Sequence, residues 1–328
     1  MLRSLRPFFI ALVAMWVGLP VAAWLYTTQH PSSHWIMTAA LPALMVEAIF
    51  YLAAGFVETR GWFGRIGSRR AQAGLLWITA LIPYLLFSFA ARTFDHDAFY
   101  LLAGLCAVLA FWYAVLPWRF AYDAGFLVIA AAPMVLHVFP RIYGSPDGHT
   151  RVDVLGHLMW IRTGIMALLV MREWNPGWFS FWPEPEEWKA GVVYYLAAVV
   201  PLAGLAIALH DARWAPIEGE WWRVGGIAIG TFFGVLWVVA LGEELFFRGV
   251  IERAALDTWS SPVAAVSISA LLFGAAHLWF RSFPDWPQAA VAMLLGVACG
   301  IAYWRTGSVR VPMVTHAFVV TTWRVLFK

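Results

Sequence analysis

Apolar residues in this chain come in runs of roughly 20, set apart by shorter stretches that hold most of the charged side chains. The runs fall at about 7–27, 36–57, 73–91, 98–117, 121–140, 154–171, 188–209, 223–242, 262–280, 287–304 and 309–327. An α-helix rises about 1.5 Å per residue, so some 20 apolar residues cross the roughly 30 Å of a bilayer's hydrocarbon core. The pattern therefore predicts an all-α fold, a polytopic integral membrane bundle of about 8–11 transmembrane helices. Aromatic residues near the predicted ends, such as Trp35, Trp118, Trp188 and Trp222, suit interfacial anchoring. The first run follows Arg3 and Arg6 as a signal peptide would. Its length, its Trp and Tyr content and the lack of a small-x-small cleavage site before the next run predict a retained helix.

The widest polar stretches are 58–72, 141–153, 172–187 and 210–222. The segment Trp174 to Glu187 is rich in Pro, Gly and Trp, as expected of a structured interfacial loop. It divides the chain into an amino-terminal membrane region, 1–185, and a carboxy-terminal one, 186–328. Arg60, Arg65, Arg69 and Arg70 crowd the loop after the second run, and Arg119, Arg305 and Arg310 fall in loops of the same parity. Loops of the other parity, with Arg92 beside Asp95 and Asp97 and Arg281 beside Asp285, are neutral or acidic, while the loop at 172–187 departs from the pattern, with Arg172 against Glu173, Glu184, Glu186 and Glu187. By the bias of Arg and Lys toward cytoplasmic loops, the amino terminus is expected on the cytoplasmic side.

Composition sharpens this reading. Hydrophobic residues make up 62% of the 328 and charged residues only 12%, about half the charged share of an ordinary soluble domain. The net charge of +3 is dispersed, which leaves no basic surface for nucleic acid. Cys106 and Cys299 both lie in apolar runs and read as small packing residues. Basic residues are almost all Arg, the lysines being Lys189 and Lys328, a bias that fits a GC-rich bacterial genome.

Ionisable groups inside spans are costly, so those that occur are functional candidates. The densest group is Glu243-Glu244-Leu245-Phe246-Phe247-Arg248. On a helix Glu244 and Arg248 are four apart and share a face, while Glu243 points about 100° away. An ion pair at a helix end would account for the cluster equally well. Two further groups follow in later apolar runs: His277, after Phe273 and the small residues Gly274, Ala275 and Ala276, and His316, at the start of the last run. Small residues let helix backbones approach and bring side chains together. Glu243, His277 and His316 match the donors of a His₂Glu zinc site. They equally suit metal-free hydrolysis, in which a carboxylate takes a proton from water and His groups orient the water and donate to the developing oxyanion.

In order and spacing these residues resemble the CPBP family of intramembrane proteases, bacterial relatives of the CAAX prenyl endopeptidase. The family's Glu-Glu-x-x-x-Arg corresponds to Glu243, Glu244 and Arg248, and its Phe-x-x-x-His to Phe273 and His277. Its His-x-x-x-Asn/Asp begins with His316 and ends here on Val320, a departure from the pattern. The likeness extends over roughly 186–326. It implies that Glu243 activates water with His277, that His316 steadies the oxyanion, and that Glu244 and Arg248 support the site without a metal. Asn175 is the only asparagine in the chain, so no neighbour supplies the missing amide.

The sequence thus reads as a glutamate-dependent intramembrane endopeptidase in the inner membrane of a bacterial cell, without cofactor although the donor set also permits zinc. Its partners would be the bilayer and a membrane protein or lipid-linked peptide. The alternatives are an inactive binding protein of the same fold and a transporter with Glu47, near Pro42, on a polar path.

Overall fold

Most of the apolar runs fold as helices whose ends are fixed by local chemistry. The computed structural model describes residues 5–29 and 33–328, so Arg3 lies outside it. The helices are α1 (Arg6–Gln29), α2 (His34–Gly55), α3 (Val57–Phe63), α4 (Arg69–Ala90), α5 (His96–Val115), α6 (Phe120–Val135), α7 (Val138–Ile142) and α8 (Val154–Met166) in the first half. In the second half come α9 (Pro185–Ala208), α10 (Trp221–Gly234), α11 (Leu241–Glu244), α12 (Arg253–Trp259), α13 (Pro262–Ala276), α14 (Trp286–Thr306) and α15 (Arg310–Leu326). Side-chain caps satisfy the free N–H groups at several starts: Asp95 accepts from Ala98 N at 2.7 Å, and Ser261 from Ala264 N at 3.4 Å just before Pro262. Glu184 and Glu187 form a reciprocal capping box at the start of α9.

Among the described residues, nine helical stretches are long and apolar enough to cross a membrane, and the only strand-like pairings are isolated bridges. The chain is a polytopic helical membrane protein. Three apolar runs differ from expectation, the one at 309–327 because its helix, α15, has 17 residues and is not among the nine. The run at 121–140 stops as a 16-residue helix at Val135, because Pro133 weakens its last turn and His137 turns the chain with a left-handed φ of 51°. The run at 223–242 does not end before the charged cluster. Helix continues to Trp259, a stretch of 39 residues.

The fold divides into two compact units, one ending at Trp174 and the other spanning Asn175–Lys328. In the first, α2, α4, α5 and α8 pack on one another around a buried ion pair in which Arg162 Nε lies 2.7 Å from Glu47 Oε1. In the second, α13 lies along α14, and α15 packs against α9, α10 and α14. The approach of α13 to α14 depends on glycine. A Cβ on Gly274 would come within 2.8 Å of the Ala289 carbonyl oxygen, and one on Gly296 within 2.9 Å of the Ala270 Cα. The segment before α9 belongs to this unit as well: Trp178 pairs with the turn before α15 through Trp178 N to Gly307 O and Val309 N to Trp178 O, both 3.1 Å.

Candidate functional site

The doubled glutamate sits in the middle of a continuous helix whose pitch changes around it. Wide π-helical turns at Val235–Ala240 and Leu245–Glu252 flank the four α-helical residues of α11. Such widenings recur at functional sites, since each re-aims the side chains that follow. Glu244, Arg248 and Glu252, spaced by four, are all fully buried on this helix.

Burial separates the two neighbouring carboxylates. The Glu244 side chain is 0% exposed and that of Glu243 is 33% exposed. Glu244 is held from two sides: Arg248 Nη1 lies 3.0 Å from its Oε2, and His316 Nδ1 lies 2.7 Å from its Oε1. The first is an ion pair without hydrogen-bond alignment; Arg248 Nη2 instead donates to the Gly296 carbonyl at 3.1 Å. His316 Nδ1 and Glu244 Oε1 share this hydrogen bond. This fixes the ring with Nε2 turned toward Glu243, 3.9 Å from its Oε2. His316 therefore lies between the sealed carboxylate and the partly exposed Glu243, whose Oε2 is itself buried and without a hydrogen-bond partner among the described residues.

Phe273 is the hub of the arrangement. Its buried ring carries the Arg248 guanidinium at 4.6 Å from the centroid, meets the His316 ring edge-on at 5.8 Å, and packs against His277 at 4.7 Å and Phe247 at 5.0 Å. The Phe-x-x-x-His spacing thus has a physical reason: one turn of α13 sets an aromatic wall beside both imidazoles. His277, half-buried at the end of α13, donates from Nδ1 to the Phe273 carbonyl at 2.8 Å, which leaves Nε2 as the ring nitrogen not used in that bond. The turn after it is tied down by Arg281, which pairs with Asp211 and, at 2.8 Å, with Asp285. The Arg281 guanidinium holds the Asp285 carboxyl below the usual carboxylate range.

Val320 lies one turn beyond His316 and is half-buried. The hydroxyls that follow are already engaged: Thr321 donates to Ala317 O at 2.7 Å and Thr322 to Phe318 O at 2.9 Å. Neither takes the place of an amide at 320. Glu252 was not singled out from the sequence, although the four-residue spacing from Glu244 and Arg248 runs straight to it. Neither of its carboxylate oxygens has a hydrogen-bond partner among the described residues, and Oε2 faces Gly300, where a Cβ would sit 2.9 Å away.

Glu243, His277 and His316 do not converge as metal ligands. Among the described residues no group of three or more His, Cys, Asp or Glu is placed to hold a metal ion. The zinc donor set that the sequence permits is not assembled by this geometry.

Residues 225–322 match the family model described as Type II CAAX prenyl endopeptidase Rce1-like. The match takes in Glu243, Glu244, Arg248, Phe273, His277, His316 and Val320. It leaves out α9, which packs against α15 in the same unit, and all of the first unit. No curated protein and no solved structure matches the chain. Within a multi-span helical membrane protein, residues 225–322 thus form a CAAX protease-like domain.

Proposed function

We propose that the carboxy-terminal unit is a glutamate-dependent intramembrane endopeptidase that hydrolyses a peptide bond of a membrane protein or lipid-linked peptide. The observation that carries this reading is the division of labour within the glutamate pair. Glu244 is sealed in a chain of contacts, Arg248–Glu244–His316, while Glu243 is partly exposed and faces the far nitrogen of the same imidazole. The family match over the same residues supports it.

In this mechanism Glu243 takes a proton from a water molecule as the oxygen attacks the peptide carbonyl. His277 Nε2, the nitrogen not used in the bond to Phe273, orients that water. The negative charge that forms on the carbonyl oxygen is met by His316 as an imidazolium, donating from Nε2 while Nδ1–H stays on Glu244. Glu243 then passes its proton to the departing amine, so the carboxylate is regenerated when the peptide bond breaks. Phe273 and the Glu244–Arg248 pair are positioning groups. The amino-terminal region, 1–185, has no part in the bond-breaking step, and the inner membrane of a bacterial cell is the setting that goes with this reading.

Val320 favours a second reading, a non-catalytic binding protein of the same fold. Loss of one oxyanion donor costs about 3–4 kcal/mol, on the order of 10²–10³ in rate. The transporter reading draws less support, because Glu47 is fully buried and engaged by Arg162.

The test is cleavage of membrane-protein substrates by the purified full chain in ¹⁸O-labelled water, with and without exhaustive chelation. The endopeptidase reading predicts one labelled oxygen in the new carboxyl terminus and turnover that survives chelation. Binding of the substrates without any cleavage supports the second reading and overturns the first.

A further inference from the structure

The amino-terminal unit holds a cavity that the proposed chemistry does not use. It has a volume of about 540 Å³ and lies where α4 ends, α5 begins and α7 ends, within the size range of small-ligand sites. These are helix ends, so in a membrane the cavity falls at the level of the lipid headgroups.

Its lining mixes apolar side chains with polar ones, among them two of opposite charge. Asp97, in the first turn of α5, and Arg141, in the last turn of α7, both line it. Neither has a hydrogen-bond or ion-pair partner among the described residues. Asp97 is not needed to finish its helix, because Asp95 already caps α5. Tyr84 and Phe87 of α4 provide the wall, and the Tyr84 hydroxyl is spent on the Asp95 carbonyl at 3.0 Å. The cavity therefore offers one free cation and one free anion that do not neutralise each other.

The cavity also leads onto a lipid-facing surface. Leu101 lines it and is exposed, and Val108 and Val115, at seven-residue steps along α5, are exposed on the same stripe. A ligand with its charges in the cavity and its chains along this stripe would satisfy both regions.

The geometry points to a binding site for a zwitterionic phospholipid headgroup of the phosphoethanolamine type. The Arg141 guanidinium takes the phosphate with its paired N–H donors. The Asp97 carboxylate takes the ammonium, helped by Asp95 at the same helix end. A lipid with a phosphate but no ammonium uses only half of the site. This inference is independent of the proposed peptidase activity and concerns the other unit.

Native mass spectrometry of the delipidated full chain in detergent tests it, with dioleoyl-phosphatidylethanolamine, dioleoyl-phosphatidylglycerol and soluble phosphoethanolamine as probes. Asp97 and Arg141 are both exposed, so their substitution leaves the core intact, which thermal denaturation checks. The expected result is one tightly retained phosphatidylethanolamine, weakened about tenfold by Asp97→Asn and by Arg141→Gln. Phosphatidylglycerol should bind more weakly, lose affinity on Arg141→Gln and be indifferent to Asp97→Asn. Equal retention of phosphatidylethanolamine by wild type and both variants, or no preference between the two lipids, overturns the site. Displacement by soluble phosphoethanolamine at concentrations equal to the lipid's overturns the lipid as occupant.

Discussion

Each unit buries a Glu–Arg pair inside a bundle of apolar helices, and the two pairs are built to different ends. In the amino-terminal unit Glu47 and Arg162 close on themselves. Arg162 gives Nε to Glu47, Nη2 to the Thr79 carbonyl at 2.7 Å and its cationic face to Phe50. In the carboxy-terminal unit Arg248 and Glu244 are also sealed, but the far oxygen of Glu244 is handed to His316, whose other nitrogen faces the partly exposed Glu243. Sealing a charge is thus not the mark of a reactive site. A sealed charge that orders a partly exposed one is a better sign.

The largest effects are expected at the two arginines. Breaking a buried pair strands a carboxylate in an apolar interior, at a cost of about 3–5 kcal/mol. Arg162→Ala and Arg248→Ala should both fail to give monodisperse, folded protein. Replacing both partners sharpens the contrast. Glu47→Leu with Arg162→Leu should restore folding, and substrate turnover with it. Glu244→Leu with Arg248→Leu should restore folding and leave turnover at background, because His316 has lost the group that orients it. Melting curves and turnover of the four proteins decide this. Full activity in the second double variant would show that the carboxy-terminal pair is as passive as the other.

Smaller effects are expected at the last motif. His316→Ala should lower turnover by about 10²–10³ while the protein stays folded. Val320→Asn should keep or raise it, because the new amide sits one turn from His316. If Val320→Asn misfolds, that position is a packing contact and the missing donor has no vacancy to fill.

The least effect is expected from the Arg281 clamp outside the spans. Asp285 has a depressed carboxyl, so it stabilises the fold above its unfolded value near pH 4 and loses that contribution as pH falls through its lower folded value. The melting temperature should therefore drop slightly more steeply in acid for wild type than for Asp285→Asn. Identical pH dependence would remove the clamp from the account of how His277 is held.

Much of this was legible in the chain. Span length follows from the hydrophobic pattern, and the Glu244–Arg248 contact and the packing of Phe273 against His277 follow from four-residue spacing. What escaped was tertiary. The charged cluster reads as a helix end because charges ordinarily stop a span, yet here α14 offers the Gly296 carbonyl and the gap beside Gly300 to buried charges, and the helix runs on. Glu252 was hidden for the same reason. The π-helical turns leave no mark in the hydrophobic pattern, since they depend on how the helix is packed. The burial that distinguishes Glu243 from Glu244 is likewise invisible in two identical adjacent letters.

The most direct measurement sets Glu243→Gln beside the Glu47→Leu/Arg162→Leu double variant, with turnover of one defined membrane-protein substrate read at matched folding. Background cleavage from Glu243→Gln with a near wild-type melting curve, and wild-type turnover from the double variant, are expected. Undiminished turnover in a folded Glu243→Gln protein would contradict the role given to Glu243.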